Sequence, residues 1–199
     1  MNKPKTRKNG KAINERNRLA LAYLELAGDK VFEKLPDGEK AKLIKDVLAV
    51  GEEAAAWVRN EYGTDDPRKI AVKMGLKVFG EENEALARSE YRRDKKEIAI
   101  SRRFHENLLR KVQSPELSER LLKLVVAHEL FHHLEAERLG EVYKRYKFKV
   151  FRLGPLAVEK TIAKLSDVAA QSFTQALLGL DLSPQVFDYL VLTTYLGKH

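Results

Sequence analysis

From about Asn14, apolar residues recur three and four positions apart at Leu21, Leu24, Val31, Phe32 and Leu35, the spacing of one helix face. The pattern stops at Pro36-Asp37-Gly38, which reads as a turn. Leu43, Ile44, Val47, Leu48, Ala55 and Val58 mark a second helix, and Gly63 suits its end. Thr64-Asp65-Asp66-Pro67 has the order of a capping side chain before a proline at the first helical position. It predicts a short helix through Met74, closed by Gly75, and then a strand from Leu76 to Phe79. Residues 87–101 predict a hairpin: a strand from Ala87 to Arg92, a polar turn near Asp94-Lys95, and a second strand at Glu97-Ile98-Ala99-Ile100.

After a helix over Phe104 to Val112, Ser114-Pro115-Glu116 starts a long helix expected to end near Gly140. Glu141 to Arg152 fits strand and helix equally. Gly154-Pro155 is expected to open another long helix through about Leu178, and Ser183-Pro184 a final one. No segment repeats and none is of low complexity, so nothing argues for a solenoid or an extended linker. The pattern is that of an α+β chain with a small sheet and a helical N-terminal scaffold. Its expected division is an arm at 1–18, N-terminal helices at 19–63 and a main domain at 64–199.

The chemistry concentrates in Val125-Val126-Ala127-His128-Glu129-Leu130-Phe131-His132-His133. His128 and His132 are four apart, so on a helix their rings stack on one face within reach of a single ion. A charged helix face, or two satisfied core histidines, would show the same five residues. Two observations favour metal. Leu121, Leu124 and Val125 share the face of the histidines and turn the pair inward, where isolated polar groups are costly. Three of the five histidines in the chain also fall within six positions. Zinc suits the pair, since imidazole nitrogen binds it at about 2.0–2.1 Å and catalytic sites use three protein ligands with one open position. Glu129, beside the pair, suits a general base that takes a proton from water and passes it to a leaving amine. His133 lies about 100° around the helix from His132, which places it behind the ligands or at the surface.

Two histidines leave one ligand to find. Glu135, Glu137, Glu141, Glu159 and Asp167 are the nearby carboxylates. Glu135 shares the broad face of His132 but also its helix, whereas a carboxylate from a second helix is the commoner solution. Asp167 precedes Ala169, Ala170 and Ala176, which would let its helix pack closely on the motif helix; the plain alternative is an exposed acid or a cap. On these grounds Asp167 and Glu159 rank level. If one helix carries both, their separation of about 12 Å along its axis means that only one can reach the ion.

Composition narrows the chemistry further. There is no cysteine, so disulfides, thiolate metal sites and a cysteine nucleophile are excluded, and any metal falls to His, Asp or Glu. Residues 1–18 hold Lys3, Lys5, Arg7, Lys8, Lys11, Arg16 and Arg18 against Glu15 alone, much of the net charge of +8. Such an arm could contact nucleic acid, although a flexible solubilising tail needs no recognition motif and is the plainer expectation. No apolar run approaches the roughly 20 residues needed to cross a bilayer. The basic start lacks the apolar stretch of a secretory signal, so a cytoplasmic protein is expected.

Over Asp66 to Leu178 the chain resembles the ImmA/IrrE-type metallopeptidases of the zincin group. The segment from Asp66 to Val78 is similar to that family's helix and first strand, Ile98-Ala99-Ile100 to the strand before its motif, and His128 to His132 to the motif itself. Asp167-Val168-Ala169-Ala170-Gln171-Ser172-Phe173 is similar to the segment in which the family carries its third ligand. The resemblance implies a zincin-like domain with the sheet packed against the motif helix, zinc on His128, His132 and Asp167, and Glu129 as base. It further implies an endopeptidase whose substrate is an intracellular helix-turn-helix repressor. Asp167 stands where Glu is usual, Gln171 where Asn is, and Phe131 where Gly is common. The alternatives from other classes are a zincin-fold interaction module without peptidase activity and a DNA-associated regulator acting through the arm.

Overall fold

The computed structural model describes residues 6–83, 88–153 and 156–186. Helix α1 (Thr6–Leu26) is followed by a single-turn α2 (Lys30–Glu33) and the long α3 (Asp37–Tyr62). The one helix expected from Asn14 to Leu35 is therefore two. The Asp29 carboxylate accepts from the N–H groups of Val31 at 2.8 Å and Phe32 at 3.1 Å, which starts a new helix and buries both residues. Pro36-Asp37-Gly38, expected as a turn, is the start of α3, with Pro36 in the capping position. At the far end Gly63 adopts φ 64° and donates its N–H to Arg59 O, a left-handed cap.

The basic segment expected as a flexible arm is helical from Thr6 onward, and residues 1–5 lie outside the described residues. Arg18, its last cation, packs inward and donates to Glu52 at 2.5 Å and to Ser172 Oγ at 2.8 Å.

Helix α4 (Pro67–Lys73) is capped by Asp66, which accepts from Arg68 N–H at 3.0 Å and Lys69 N–H at 3.3 Å. Strands β1 (Lys77–Glu81), β2 (Ser89–Arg92) and β3 (Glu97–Ser101) form one sheet in the order β1-β3-β2, with β1 parallel and β2 antiparallel to β3. The hairpin turns around Asp94-Lys95 as expected and pairs Arg92 with Glu97; Ala87, its expected first residue, lies outside the described residues. Ile98, Ala99 and Ile100 of the central strand are buried.

Helix α5 (Arg102–Val112) leads to α6 (Pro115–Leu134), which is capped by Ser114 Oγ on Leu117 N–H and carries the histidine motif. Beyond Leu134 the helix widens into a π-helical turn, Glu135–Leu139, and stops at Gly140. A 3-10 turn, Val142–Arg145, follows. Then comes the antiparallel pair β4 (Phe148–Leu153) and β5 (Leu156–Lys160), and finally α7 (Leu165–Leu178).

The helix expected from residue 154 to 178 is thus a strand followed by a shorter helix; Gly154 and Pro155 themselves lie outside the described residues. Val158, Ile162 and Leu165 are spaced four and three apart and imitate a helix face. In the structure Val158 is exposed on β5, while Ile162 and Leu165 are buried at the entry to α7. Residues 184–186, at the start of the helix expected from Ser183-Pro184, are helical, and the rest of that expectation lies outside the described residues.

The architecture is mixed α and β. One continuous apolar core runs from Ala22 to Leu177 and crosses the boundary expected at residues 63 and 64. Within it α6 is buried on most sides, against the sheet and against α7. Among the described residues no helix is long and apolar enough to cross a membrane.

Helix α7 is itself fixed by α3. A Cβ at Gly51 would lie 2.3 Å from Ala169 O and 2.6 Å from Phe173 N, distances at which backbone must move. Of the small residues of α7 expected to face the motif helix, Ala169 presents its backbone oxygen to α3 at Gly51. Gly51→Ala should push the two helices apart at an overpacking cost of about 1–3 kcal/mol. Thermal or denaturant unfolding measures it: the midpoint falls by several degrees, and an unchanged midpoint would show that α7 can shift freely.

Candidate metal centre

Helix α6 turns both motif histidines toward the first turn of α7. The Nε2 atoms of His128 and His132 are 3.2 Å apart, and Asp167 Oδ1 lies 3.9 Å from the first and 3.7 Å from the second. The three side chains offer ligand atoms within 4.8 Å of one another and could hold a metal ion. A tetrahedral ion with bonds of about 2.0–2.2 Å keeps neighbouring donors about 3.3–3.6 Å apart. The histidine pair, at 3.2 Å, is within about 0.1 Å of that spacing, and Asp167 needs an inward shift of a few tenths of an ångström. The histidine side chains are 14% and 25% exposed and that of Asp167 is 48% exposed, so the cluster opens to solvent on the α7 side.

The electrostatics favour a cation here. Burial holds the His128 pKa well below the ordinary imidazole value, and the charges of His132 and Arg88 push it the same way. Burial also lowers that of His132, but its hydrogen bond to Glu135 and the charges of Glu129, Glu135 and Asp167 outweigh this and raise it. Asp167 is raised by burial; His132 opposes the shift, and Glu25, Glu135 and Glu129 add to it. Several carboxylates thus crowd two rings, one of them neutral and the other drawn toward its protonated form. A divalent ion held by the three side chains would offset these carboxylate charges.

The other motif residues are held from the sheet side. Glu129 is buried; its Oε1 accepts from Ser89 Oγ at 2.7 Å and its Oε2 from Tyr91 N–H at 2.9 Å, both on β2. His133 is buried and its Nδ1 lies 2.9 Å from the Tyr91 hydroxyl, which excludes the surface alternative. Its ring faces β2 and takes no part in the cluster.

The rival carboxylates lie elsewhere. Glu159 sits on β5 beside Lys147 at 3.9 Å, so the premise that it shares a helix with Asp167 is corrected. Glu141 pairs with Lys144, and Glu137 lies 4.0 Å from Lys96. Glu135 Oε2 lies 3.0 Å from His132 Nδ1, on the side of the ring away from the cluster. Ser89 and Tyr91 went unnoticed in the sequence, because only the packing of β2 on α6 brings them to Glu129. Glu135 had a legible signal in its i,i+3 spacing from His132.

Compared with known proteins, the chain matches no family model, no curated protein and no solved structure.

Two expectations follow from the geometry. Asp167→Ala should abolish stoichiometric metal uptake, whereas Glu159→Ala should leave it intact; metal analysis after equilibrium dialysis decides, and equal uptake by both variants would remove Asp167 from the set. Because the ion must displace a proton from His132, whose pKa lies above 6.5, affinity should weaken as pH falls through that raised value. In the metal-free protein, NMR should show His132 titrating above 6.5 and His128 far below it, with both titrations suppressed by the ion.

Proposed function

We propose that this chain is a zinc-dependent metalloendopeptidase with a zincin-like fold, akin to the ImmA/IrrE-type enzymes, acting on a cytoplasmic protein substrate. The observation that carries the reading is the convergence of His128 Nε2, His132 Nε2 and Asp167 Oδ1 from two helices, with Glu129 on the same helix as the histidine pair. Two imidazoles and one carboxylate are a set of zinc ligands that leaves one coordination position open. When bound, zinc supplies Lewis acidity, polarising the scissile carbonyl and acidifying water.

The chain's own residues supply the rest. His128 stays neutral at ordinary pH because burial disfavours its charged form, as a ligand must. Glu129 is aimed by Ser89 and Tyr91, each of which occupies one lone pair on a different oxygen, so each oxygen keeps another acceptor site. With that capacity the carboxylate takes a proton from water and delivers it to the leaving amine, the role of a general base and then a general acid. The half-exposed flank at Asp167 gives a polypeptide access to the centre.

For the substrate, the resemblance points to a helix-turn-helix repressor, and the basic composition of residues 1–18 offers an electrostatic contact to DNA on which such a repressor sits. A second reading, an interaction module that keeps the metal without hydrolysis, draws on the engagement of both Glu129 oxygens by β2.

Incubation with candidate repressors tests the choice. A single specific cut is expected, lost with a chelator and reduced by several orders of magnitude in Glu129→Gln, whose zinc content stays at the parental level. Cleavage surviving in Glu129→Gln would remove the mechanism, and absence of any cut with a full zinc complement favours the interaction module.

A further inference from the structure

Glu135 carries a second observation at the same centre. Its side chain is 6% exposed and its carboxylate meets three donors: His132 Nδ1 at 3.0 Å on Oε2, and Val142 N–H at 2.8 Å and Ser166 Oγ–H at 2.6 Å on Oε1. These donors belong to α6, to the turn that follows it and to the start of α7. Ser166 is the residue before Asp167. One buried carboxylate therefore touches one histidine of the cluster directly and the neighbour of its acid.

We infer that Glu135 is a positioning residue that presets the metal centre, holding His132 in the tautomer that binds metal and setting the gap between His132 and Asp167. The inference rests on the metal-site reading above, and it gives Glu135 a role other than that of the third ligand. A carboxylate accepts and does not donate, so the 3.0 Å contact places a proton on His132 Nδ1. In the neutral ring that leaves the Nε2 lone pair bare and aimed at His128 and Asp167. The negative charge behind the ring also makes Nε2 a stronger donor to a cation.

The two histidines differ in this respect. His128 Nδ1 is buried and meets no hydrogen-bond partner among the described residues, so on that side its ring is held by packing. His132 is the more exposed ring of the two, and Glu135 supplies the restraint that burial gives His128.

The grip on Ser166 does the second part. Lys164, at the N-cap of α7, makes no side-chain capping hydrogen bond. Glu135 anchors this turn from outside through Ser166 Oγ, and with it the height at which Asp167 faces the rings. The widening of the helix into a π-turn begins at Glu135, a feature that often accompanies functional positions.

The test uses the full chain and zinc alone. In the metal-free protein, nitrogen-15 shifts of His132, read above its titration, should report the Nδ1–H tautomer. In Glu135→Gln the amide can turn its NH2 toward Nδ1, which drives the ring proton to Nε2, where the ion must bind. Zinc affinity, measured by competition with a chromophoric chelator, should then fall about 10–100-fold. Ser166→Ala removes one donor without touching the ring, so it should weaken zinc less and leave the tautomer unchanged; a merely structural Glu135 would move neither signature of the ring.

A parent that binds zinc, together with a Glu135→Gln variant within twofold of it, overturns the role of Glu135 and leaves the metal centre standing. A parent that binds no zinc overturns both. Should Glu135→Gln fail to fold, the parent's tautomer decides alone, and an Nε2–H ring overturns the inference.

Discussion

Gly51 lets the backbone of α7 lie against α3 where any side chain would collide with Ala169 O and Phe173 N. On its other side α7 packs on α6, with Phe173 and Phe131 tilted together at 5.5 Å between ring centres. Both rings are fully buried, so neither helix can slide without opening a void in a close-packed interior. Held from two sides, α7 presents its first turn to the histidine pair, and Asp167 arrives there from the far end of the sequence. The His-His-Asp cluster is a by-product of how tightly three helices pack.

Charge completes what packing begins. Glu129 and Glu135 lie buried within a few residues of two histidines on one helix, an arrangement that would be costly if any of them lacked partners. Each is satisfied from a different direction. Strand β2 serves Glu129 through Ser89 and Tyr91, while the turn after α6 and the start of α7 serve Glu135 through Val142 and Ser166. The sheet and the C-terminal helix are thereby tied to opposite ends of the same motif. Among the described residues, His128, His132 and Asp167 are left facing one another, the condition under which a cation is the natural partner.

The three-stranded sheet has a modest but directional part in this. Its central strand is buried and its antiparallel edge lies along α6, so β2 reaches Glu129 and His133, one helical turn apart on the same face. Tyr91 contacts both, the first through its backbone N–H and the second through its hydroxyl. The neighbouring face of α6, about 100° around the helix, carries the cluster, which opens toward solvent beside Asp167.

Local signals in the chain determined the elements whose ends are chemically marked: α4 between Asp66 and Gly75, the hairpin around Asp94-Lys95, and α6 from Ser114 with both histidines one turn apart. Capping, turn and periodic patterns act over a few residues and can be read without the rest of the molecule. The same local logic failed where two solutions share one pattern. Asp29 could have sat inside a helix but caps a new one, and Val158, Ile162 and Leu165 are spaced as a helix face though the first lies on a strand. The order Asp167 over Glu159 could not come from spacing, because it depends on β5 carrying Glu159 to an exposed edge while α7 is wedged against α3 and α6. Nor could the partners of Glu129 and Glu135 be foreseen, since Ser89, Tyr91 and Ser166 lie 40, 38 and 31 positions away from the carboxylates they serve. Contacts that distant are set by the closing of the whole core, and only the tertiary structure decides them.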